Sequence, residues 1–276
     1  MKNTAQSTGD SGKECSRGTR SGSAVTATVT AAVALLVLTG CGTPRTAPED
    51  IRGRTDVAAG TAGTTGGVGA PDTGAVDCGE EKCIALTFDS APGRYTEELL
   101  DLLEEEEVPV TFFLLGKSIE RYPDLVERMV DEGHELANHT WNHPRLDESD
   151  EDEIREELVS TQDAIEAISG ETPTLMRPPQ GRTDDRVTEI SAELGLSQIL
   201  WTVTAKDYET TDSDLIHERV MDDADQDGII LLHDIYDGTV PAVPGIIADL
   251  KDENYTFVTV SDLLAPGEPD PGEVVG

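Results

Sequence analysis

Short apolar runs alternate with amphipathic segments along most of this chain, and this alternation constrains the fold more than any other feature. Between the runs, apolar residues recur at helical spacing, as Leu99, Leu100 and Leu103 do. Repeated strand–helix units with continuously apolar strands predict a parallel sheet covered by helices. We therefore expect an α/β fold, a distorted (β/α) barrel of about seven parallel strands. The predicted strands are 83–88, 108–115, 135–138, 175–176, 197–203, 229–232 and 256–260, and the predicted helices are 95–106, 119–132, one starting at 149–152, 183–194, 214–222 and 243–251.

The first forty residues do not belong to this pattern. They begin with a basic segment, contain no charge from 21 to 40, and lead into the run Leu38-Thr39-Gly40-Cys41. Such a run resembles the lipobox of bacterial lipoproteins, where a signal peptide is cleaved before a cysteine that is then acylated. We expect a lipid anchor at Cys41; the alternatives are an ordinary signal peptide cut nearby and an uncleaved anchor. In each case the mature protein lies outside the cytoplasm, attached to the bacterial cell membrane by that lipid or else secreted.

Composition divides the remainder into three parts. Residues 41–76 are rich in Gly, Thr, Ala and Pro and have no hydrophobic periodicity, which predicts a flexible tether. Residues 77–264 contain all the strand and helix patterns and are expected to form one domain. Residues 265–276 include three prolines and are expected to be a disordered tail.

Two cysteines, Cys78 and Cys83, lie at the start of the predicted domain with a polar turn between them. An oxidising compartment and this short spacing favour a disulfide that joins a small hairpin to the first strand. The alternative, a metal site built on the two thiols, would need further ligands close by in the sequence, and none is visible.

The chain is strongly acidic, with 56 Asp and Glu against 20 Lys and Arg and a formal net charge of −36. Such a surface repels nucleic acids and other anionic polymers at low salt, so no nucleic-acid partner is expected. The plain interpretation is a well-solvated secreted protein, and the sharper one is adaptation to high salt, where screening removes the self-repulsion. We favour the second, and we expect a monomer.

Titratable residues follow three of the predicted strands. Asp89 and His233 each end an apolar run, and His139 and His143 follow the extended segment 135–138. Two histidines four positions apart share one face of a helical turn and can chelate one ion, although such a pair is often only polar surface. Active sites of barrels lie at the carboxyl ends of their strands. An acid, a His pair and a third His in such places suggest metal-assisted hydrolysis.

Together these segments resemble the polysaccharide deacetylases of the NodB-homology group, carbohydrate esterase family 4. The resemblance covers about 83–262, and five motifs occur in the family's order. The motifs are TFDSAP at 87–92, HTWNH at 139–143, RPPQG at 177–181, WTVTAKDY at 201–208 and LLH at 231–233.

The resemblance implies a deacetylase-type barrel that removes acetyl groups from N-acetyl sugars of peptidoglycan or a chitin-like polysaccharide. A divalent metal, zinc by expectation, would be held by His139 and His143. Asp89 would act as the general base, oriented by a salt bridge to Arg177, and His233 would protonate the departing sugar amine.

Four further residues are assigned to substrate binding by the same resemblance. A backbone N–H just after Pro179, that of Gln180, would hold the oxyanion. Tyr208 and Leu231 would line a small apolar pocket for the acetyl methyl, and Asp207 lies in the fourth motif beside Tyr208.

Two motif positions depart from the family pattern. Ser90 stands where the family has the aspartate ligand of the metal, and a neutral hydroxyl is a poor zinc ligand. Thr204 replaces the acid of the fourth motif that tunes the catalytic histidine, so His233 is expected to hold its proton less firmly. The alternative to a hydrolase of reduced activity is therefore a catalytically inactive module that binds cell-wall glycan or a partner.

The run Asp223 to Gly228 reads Asp-x-Asp-x-Asp-Gly, as in a calcium-binding loop, and Asp234 falls at its twelfth position. Positions seven to twelve read as a strand rather than as the rest of such a loop. An acidic helix-to-strand turn is therefore the preferred interpretation, with calcium binding left open.

Overall fold

The structure is a computed structural model that describes residues 76–267 and 269–276. The expected signal peptide, the lipid anchor at Cys41 and the tether up to residue 75 lie outside the described residues. Among the described helices, none is both long and apolar enough to span a bilayer.

In the described part, nine strands form one parallel sheet that is curled into a half-barrel. Its order is β6-β7-β1-β2-β3-β4-β5-β9, and β8 pairs with the first residues of β1. The expected α/β barrel fold is thus confirmed. The strands are β1 (Cys83–Ala91), β2 (Thr111–Leu114), β3 (Glu135–Asn138), β4 (Leu175–Met176), β5 (Ser197–Ile199), β6 (Val203–Thr204), β7 (Gly228–His233), β8 (Thr256–Val258) and β9 (Val274–Val275).

Helices connect the strands, as parallel pairing requires. Several begin at a side-chain cap, such as Asp150 and Asp184, whose carboxylates accept backbone N–H groups of the first turn. The helices are α1 (Thr96–Glu106), α2 (Gly116–Arg121), α3 (Pro123–Asp131), α4 (Glu151–Ser169), α5 (Asp185–Glu193), α6 (Ser213–Asp223), α7 (Thr239–Asp252) and α8 (Val260–Leu264).

Both faces of the sheet are buried, which explains its continuously apolar strands. On β2, Phe112 faces the helices and stacks on Phe88 with ring centroids 5.7 Å apart. Its neighbour Phe113 points to the opposite face and packs in a second cluster with Ala85 and Ile199. Rigid strands packed on both sides hold the residues at their carboxyl ends in fixed positions.

Two predicted elements are divided in the structure. The helix expected over 119–132 is split into α2 and α3, because Pro123 has no N–H to continue the first helix and instead begins the second. The strand expected over 197–203 is split into β5 and β6. Where β5 ends, the carbonyls of Ile199 and Leu200 accept hydrogen bonds from the Arg177 side chain.

The expectation of a disordered tail over 265–276 is wrong. Residues Val274–Val275 form β9 and pair with β5, where Gln198 N donates to Glu273 O at 2.7 Å. The Ser197 hydroxyl lies 3.0 Å from the carbonyl of Pro269. The edge of β5 offers backbone groups that need partners, and the tail supplies them.

The structure contains the expected disulfide between Cys78 and Cys83, whose Cα atoms are 5.5 Å apart. Cys83 is the first residue of β1, so the bridge fastens the described amino-terminal turn to the central strand.

Candidate active site

The residues of the five motifs meet at one edge of the sheet. Asp89 is near the end of β1, His139 follows β3, Arg177 follows β4 and His233 ends β7. Because the strands are parallel, their carboxyl ends lie together, and the sequence-predicted catalytic and metal-binding residues form one cluster.

Asp89 and Arg177 form a buried ion pair. Arg177 Nη1 lies 2.6 Å from Asp89 Oδ1, and the arginine side chain is fully buried. The remaining guanidinium donors bond the Thr87 hydroxyl and backbone carbonyls, and the plane stacks on Phe113 at 3.9 Å. Burial, the largest single influence, raises the pKa of Asp89, but the charge and hydrogen bond of Arg177, together with the nearby His139 and His233, outweigh it and hold the pKa below its usual value. Asp89 is therefore an ionised, fixed carboxylate.

His139 is held as a neutral imidazole with a defined tautomer. Its Nδ1 lies 2.7 Å from the carbonyl oxygen of Arg177, and since a carbonyl only accepts, Nδ1 carries the proton. Burial lowers the pKa of His139 to about 4. The lone pair on Nε2 then faces Asp89 Oδ2 at 3.7 Å. Two buried acceptor atoms face each other there, which is an arrangement that a cation would stabilise.

His143 is brought beside His139 by a loop and not by the helical turn that the spacing suggested. Residues 139–143 follow β3 without regular structure, and Thr140 and His143 both have positive φ, 69° and 66°. The Asn138 side chain accepts from Thr140 N, and the Thr140 hydroxyl accepts from His143 N. The two imidazole centroids are 4.9 Å apart. Burial lowers the pKa of His143, so this ring also favours its neutral, metal-binding form.

Ser90 occupies a β-bulge between β1 and β2, where the register shifts between Asp89 and Ala91. Its φ is 66°, and the residue is 9% exposed. Bulges of this kind re-aim side chains near active sites. In the part of the chain described, no three His, Cys, Asp or Glu side chains gather closely enough to hold an ion.

His233 does have an acidic partner, so the expectation drawn from Thr204 is wrong. Asp207 Oδ1 lies 2.8 Å from His233 Nδ1, and Asp207 Oδ2 accepts from the His233 backbone N–H and from the Thr239 hydroxyl. Burial lowers the pKa of His233, but the hydrogen bond and charge of Asp207 outweigh it and raise the pKa above its usual value. Asp207 is 1% exposed. Its assignment to substrate binding is therefore also wrong, because its oxygens face inward.

The signal that could have identified Asp207 is in the fourth motif itself. The family pattern has two acids three positions apart followed by an aromatic residue, and Thr204, Asp207 and Tyr208 occupy those places. The second acid, which this chain retains, is the one in contact with His233. No sequence signal pointed to Thr239, whose hydroxyl lies 2.7 Å from Asp207.

The other predicted substrate-binding residues surround this cluster. Gln180 has φ 60° and an exposed side chain. Tyr208 is 51% exposed and its ring meets His233 edge-on at 6.0 Å, while Tyr236, missed in the sequence, does so at 5.4 Å. Leu231 lies two residues before His233 on β7, so both side chains point to the same face, and it is buried. Beside the two tyrosines is an open cavity of about 520 Å³.

The calcium-loop interpretation does not hold. Residues 228–233 form β7, which separates Asp223 and its neighbours from Asp234 by the length of a strand. Asp234 is buried and accepts a hydrogen bond from the Thr96 hydroxyl. Burial raises the pKa of Asp234 to about 6. It joins the end of β7 to the start of α1 and is not a ligand of the acidic turn.

Comparisons with known proteins agree with this geometry. The family model described as polysaccharide deacetylase matches residues 77–199. PdaC of Bacillus subtilis (strain 168), named a peptidoglycan-N-acetylmuramic acid deacetylase, is 40% identical over 184 residues, which are 66% of this chain and 39% of PdaC. The chain thus spans about two fifths of the length of that relative.

Solved structures are similar as well. A structure described as T48 deacetylase with substrate has a TM-score of 0.70 at 38% identity, covering 72% of this chain and 99% of that one. BA3943 from Bacillus anthracis, described as a CE4 family pseudoenzyme, has a TM-score of 0.64 at 29% identity, covering 71% and 70%. A mutant of BA3943 is described as having restored enzymatic activity.

Proposed function

The chain belongs to the polysaccharide deacetylase family, and from this premise we propose that its folded part hydrolyses N-acetyl groups of a cell-wall polysaccharide. The observation that supports this most is the pair of buried acid–base units at one edge of the sheet. Asp89 is paired with Arg177, and His233 is paired with Asp207. Amide hydrolysis needs one group that accepts a proton and another that donates one. The pKa of Asp89 is lowered, which suits an acceptor, and the pKa of His233 is raised, which suits a donor.

Asp89 is suited to accept the proton of the attacking water. Arg177 fixes one of its oxygens and keeps its pKa low, so the carboxylate is ionised at neutral pH. The other oxygen, Oδ2, faces the histidine pair, where the water would be positioned. Arg177 itself is a positioning residue, because its donors are all directed at protein atoms in the buried site.

His233 is suited to protonate the departing amine. Asp207 holds Nδ1 protonated and raises the pKa of the ring, which leaves Nε2 to carry the second proton toward the substrate. The backbone N–H of Gln180, in its left-handed conformation, is the candidate oxyanion donor.

The described residues offer a divalent cation two imidazole ligands, His139 and His143, which is one ligand fewer than the family pattern. His139 and His143 are neutral imidazoles side by side, and Asp89 Oδ2 is the nearest carboxylate oxygen. Imidazole ligands suit zinc. When bound, the ion supplies Lewis acidity toward the acetamide carbonyl and the attacking water. Ser90 weakens this site, so we propose lowered metal affinity and reduced activity.

A second candidate function is a module that binds glycan without hydrolysing it. It rests on Ser90 alone, since the other departure, Thr204, leaves His233 with its partner Asp207. The similarity to BA3943, described as a pseudoenzyme, supports this alternative.

Substitution of Ser90 distinguishes the two candidates. The φ of 66° is one that Asp and Asn adopt more readily than most residues, so Ser90→Asp and Ser90→Asn should both fold. We expect Ser90→Asp to raise zinc affinity by about 10–100-fold, measured by calorimetry on the full chain, and to raise acetate release from N-acetylglucosamine oligomers. Ser90→Asn is the matched control, because it has the same shape without the charge.

Acetate release by the unsubstituted chain distinguishes the hydrolase from the inactive module. Acetate release that is abolished by His143→Ala supports the metal-dependent hydrolase. Binding of oligomers without acetate release, with activity gained only in Ser90→Asp, would establish the inactive module. Unchanged acetate release in His143→Ala would show that the proposed role of the metal is wrong.

A further inference from the structure

The acidic surface poses a difficulty for a protein that acts on a cell-wall glycan, because such glycans often carry carboxylates. At a formal net charge of −36, long-range repulsion of an anionic polymer is strong at low salt. Binding then requires cations close to the site whose charge is not already neutralised by the protein.

Such cations are few within residues 76–267 and 269–276. There, all but three of the lysines and arginines lie within 4.0 Å of a carboxylate oxygen. The three are Lys117, Arg121 and Lys206, and all are exposed. A chain with this excess of acid would be expected to pair every cation, so an unpaired one needs a reason.

Lys117 and Arg121 lie on the side of the site that carries residues 139–143, called here the histidine loop. Both are on α2, four residues apart and hence on one face of the helix. The α2 helix begins directly after β2 and is tied to the histidine loop, with Gly116 N donating to Thr140 O and Lys117 N to Trp141 O. Lys206 follows β6, which lies at one end of the strand order, three strands away from β2.

Lys117 is close enough to the site for its charge to act there. Its ammonium lies 3.3 Å from the carbonyl oxygen of Asn142, the residue before His143. That carbonyl is its only partner among the described residues, which leaves donors of the ammonium for a ligand. The positive charge of Lys117 is also one of the influences on the pKa of His143, after burial and Asp89.

We propose that Lys117, with Arg121 one turn further on, binds a carboxylate carried by the glycan beside the acetylated sugar, as in muramic acid. This inference rests on the proposed function, because it names the chemical class of glycan that the same site selects. Two cations on one helix face beside the histidine loop attract an anionic group of the glycan to that side of the site and so orient the glycan across it. A neutral, chitin-like oligomer would gain nothing from them.

The test compares two glycans that differ only in charge. One is a soluble tetrasaccharide of alternating N-acetylglucosamine and N-acetylmuramic acid with free carboxylates, and the other is the same tetrasaccharide with those carboxylates amidated. We expect the full chain to prefer the anionic form in kcat/KM. Lys117→Gln should lower the ratio of anionic to amidated kcat/KM by about fivefold, and Lys117→Gln combined with Arg121→Gln by about tenfold or more.

Lys251→Gln is the matched control, since it removes the same charge from a lysine that is paired with Glu106. Its ratio should equal that of the unsubstituted chain. Sodium chloride between about 0.05 and 0.5 M should reduce the preference in the unsubstituted chain, because screening shortens the reach of exposed charges. A ratio that Lys117→Gln leaves unchanged would overturn the inference.

Failure of the proposed function is separable from failure of this inference. If the unsubstituted chain releases no acetate from either glycan, the dissociation constants of the two glycans replace kcat/KM, measured by calorimetry on the same variants. A Kd ratio that falls in Lys117→Gln then supports the carboxylate subsite in a non-catalytic glycan binder. Equal Kd values for the two glycans, or binding of neither, would overturn it.

Discussion

At the scale of single residues, the site depends on how each polar group is partnered. Asp207 illustrates this, because its two oxygens accept from His233 N, His233 Nδ1 and the Thr239 hydroxyl at 2.7–2.8 Å. With its carboxylate so occupied in a buried place, its effect on the neighbouring imidazole is strong. The contribution of Asp207 is thus to fix the orientation, the tautomer and the protonation of His233.

Asp207→Asn is predicted to move the basic limb of the pH–rate profile to lower pH. His233 must be protonated to act as a general acid, so that limb follows its pKa in the folded protein. Asp207 raises this pKa and burial lowers it, so the pKa falls when the carboxylate is removed. We expect kcat/KM for acetate release near pH 7.5 to fall by about 100-fold and to recover partly toward pH 5.5.

The control for this variant is Asp185→Asn, in the exposed first turn of α5, which should leave the profile unchanged. Titration of the His233 ring by NMR measures the pKa directly in both variants. A fall in kcat/KM at every pH without a shift of the basic limb or of the ring pKa would contradict the assigned role of Asp207.

At the residue level, the sequence predicted the placement of residues whose type has one chemical use at its position. Asp89, His139, Arg177 and His233 meet at one edge as the motifs implied. Prediction failed for Asp207, because the effect on the histidine was assigned to the first acid of the fourth motif, which is Thr204 here, and not to the second, which this chain retains. It also missed Thr239, since a hydroxyl at the first residue of α7 gives no pattern to recognise.

At the scale of elements, the histidine loop is positioned by the helix beside it. The α2 helix begins at Gly116, next to the ring of Trp141 in the middle of the loop. A Cβ at position 116 would lie 2.0 Å from Trp141 Cε3, far inside contact distance. Backbone hydrogen bonds from Gly116 and Lys117 to the loop require this close approach.

Gly116→Ala is therefore predicted to separate α2 from the histidine loop. The added methyl group can be accommodated only if the backbone of α2 or the large indole moves out of its packed position. We therefore expect the free energy of unfolding to fall by about 1–3 kcal/mol. Zinc affinity should fall with it, because the displaced loop carries His143. Gly267→Ala is the control, since a Cβ there meets only one atom, at 3.7 Å. Equal stability and zinc affinity in the two variants, by chemical denaturation and calorimetry, would contradict this packing argument.

Element boundaries show what local sequence patterns omit. The pattern over 119–132 is amphipathic throughout, yet Pro123 starts a new helix there. Residues 274–275 have too little pattern to indicate a strand, and they form one because β5 presents an edge that they can reach. Pairing of this kind depends on distant residues, so it becomes visible only when the sheet is assembled.

At the scale of the whole molecule, an apolar sheet core is enclosed by helices whose outer faces are acidic. The α1 helix is an example, with Asp101 and Glu105 four residues apart on its exposed side and no basic residue in its last turn. Like charges at that spacing repel, and anions near a helix carboxyl terminus oppose its dipole. The surface therefore opposes folding electrostatically, while the buried core stabilises it.

Salt is accordingly predicted to stabilise the folded protein, with the melting temperature rising as sodium chloride increases from about 0.05 to 1 M. Two exposed positions on α1 test the cause. Glu105→Gln removes an anion from the unfavourable end of the helix and should raise the melting temperature at low salt by about 1–2 °C, a gain that disappears at 1 M. Glu98→Gln removes the same charge from the first turn, where the dipole favours an anion, and should give no such gain.

If both variants raised the melting temperature equally, general self-repulsion alone would explain the salt effect. If neither did and salt had no effect on the unsubstituted chain, the acidic surface would be neutral for stability, and the interpretation as adaptation to high salt would lose its physical basis.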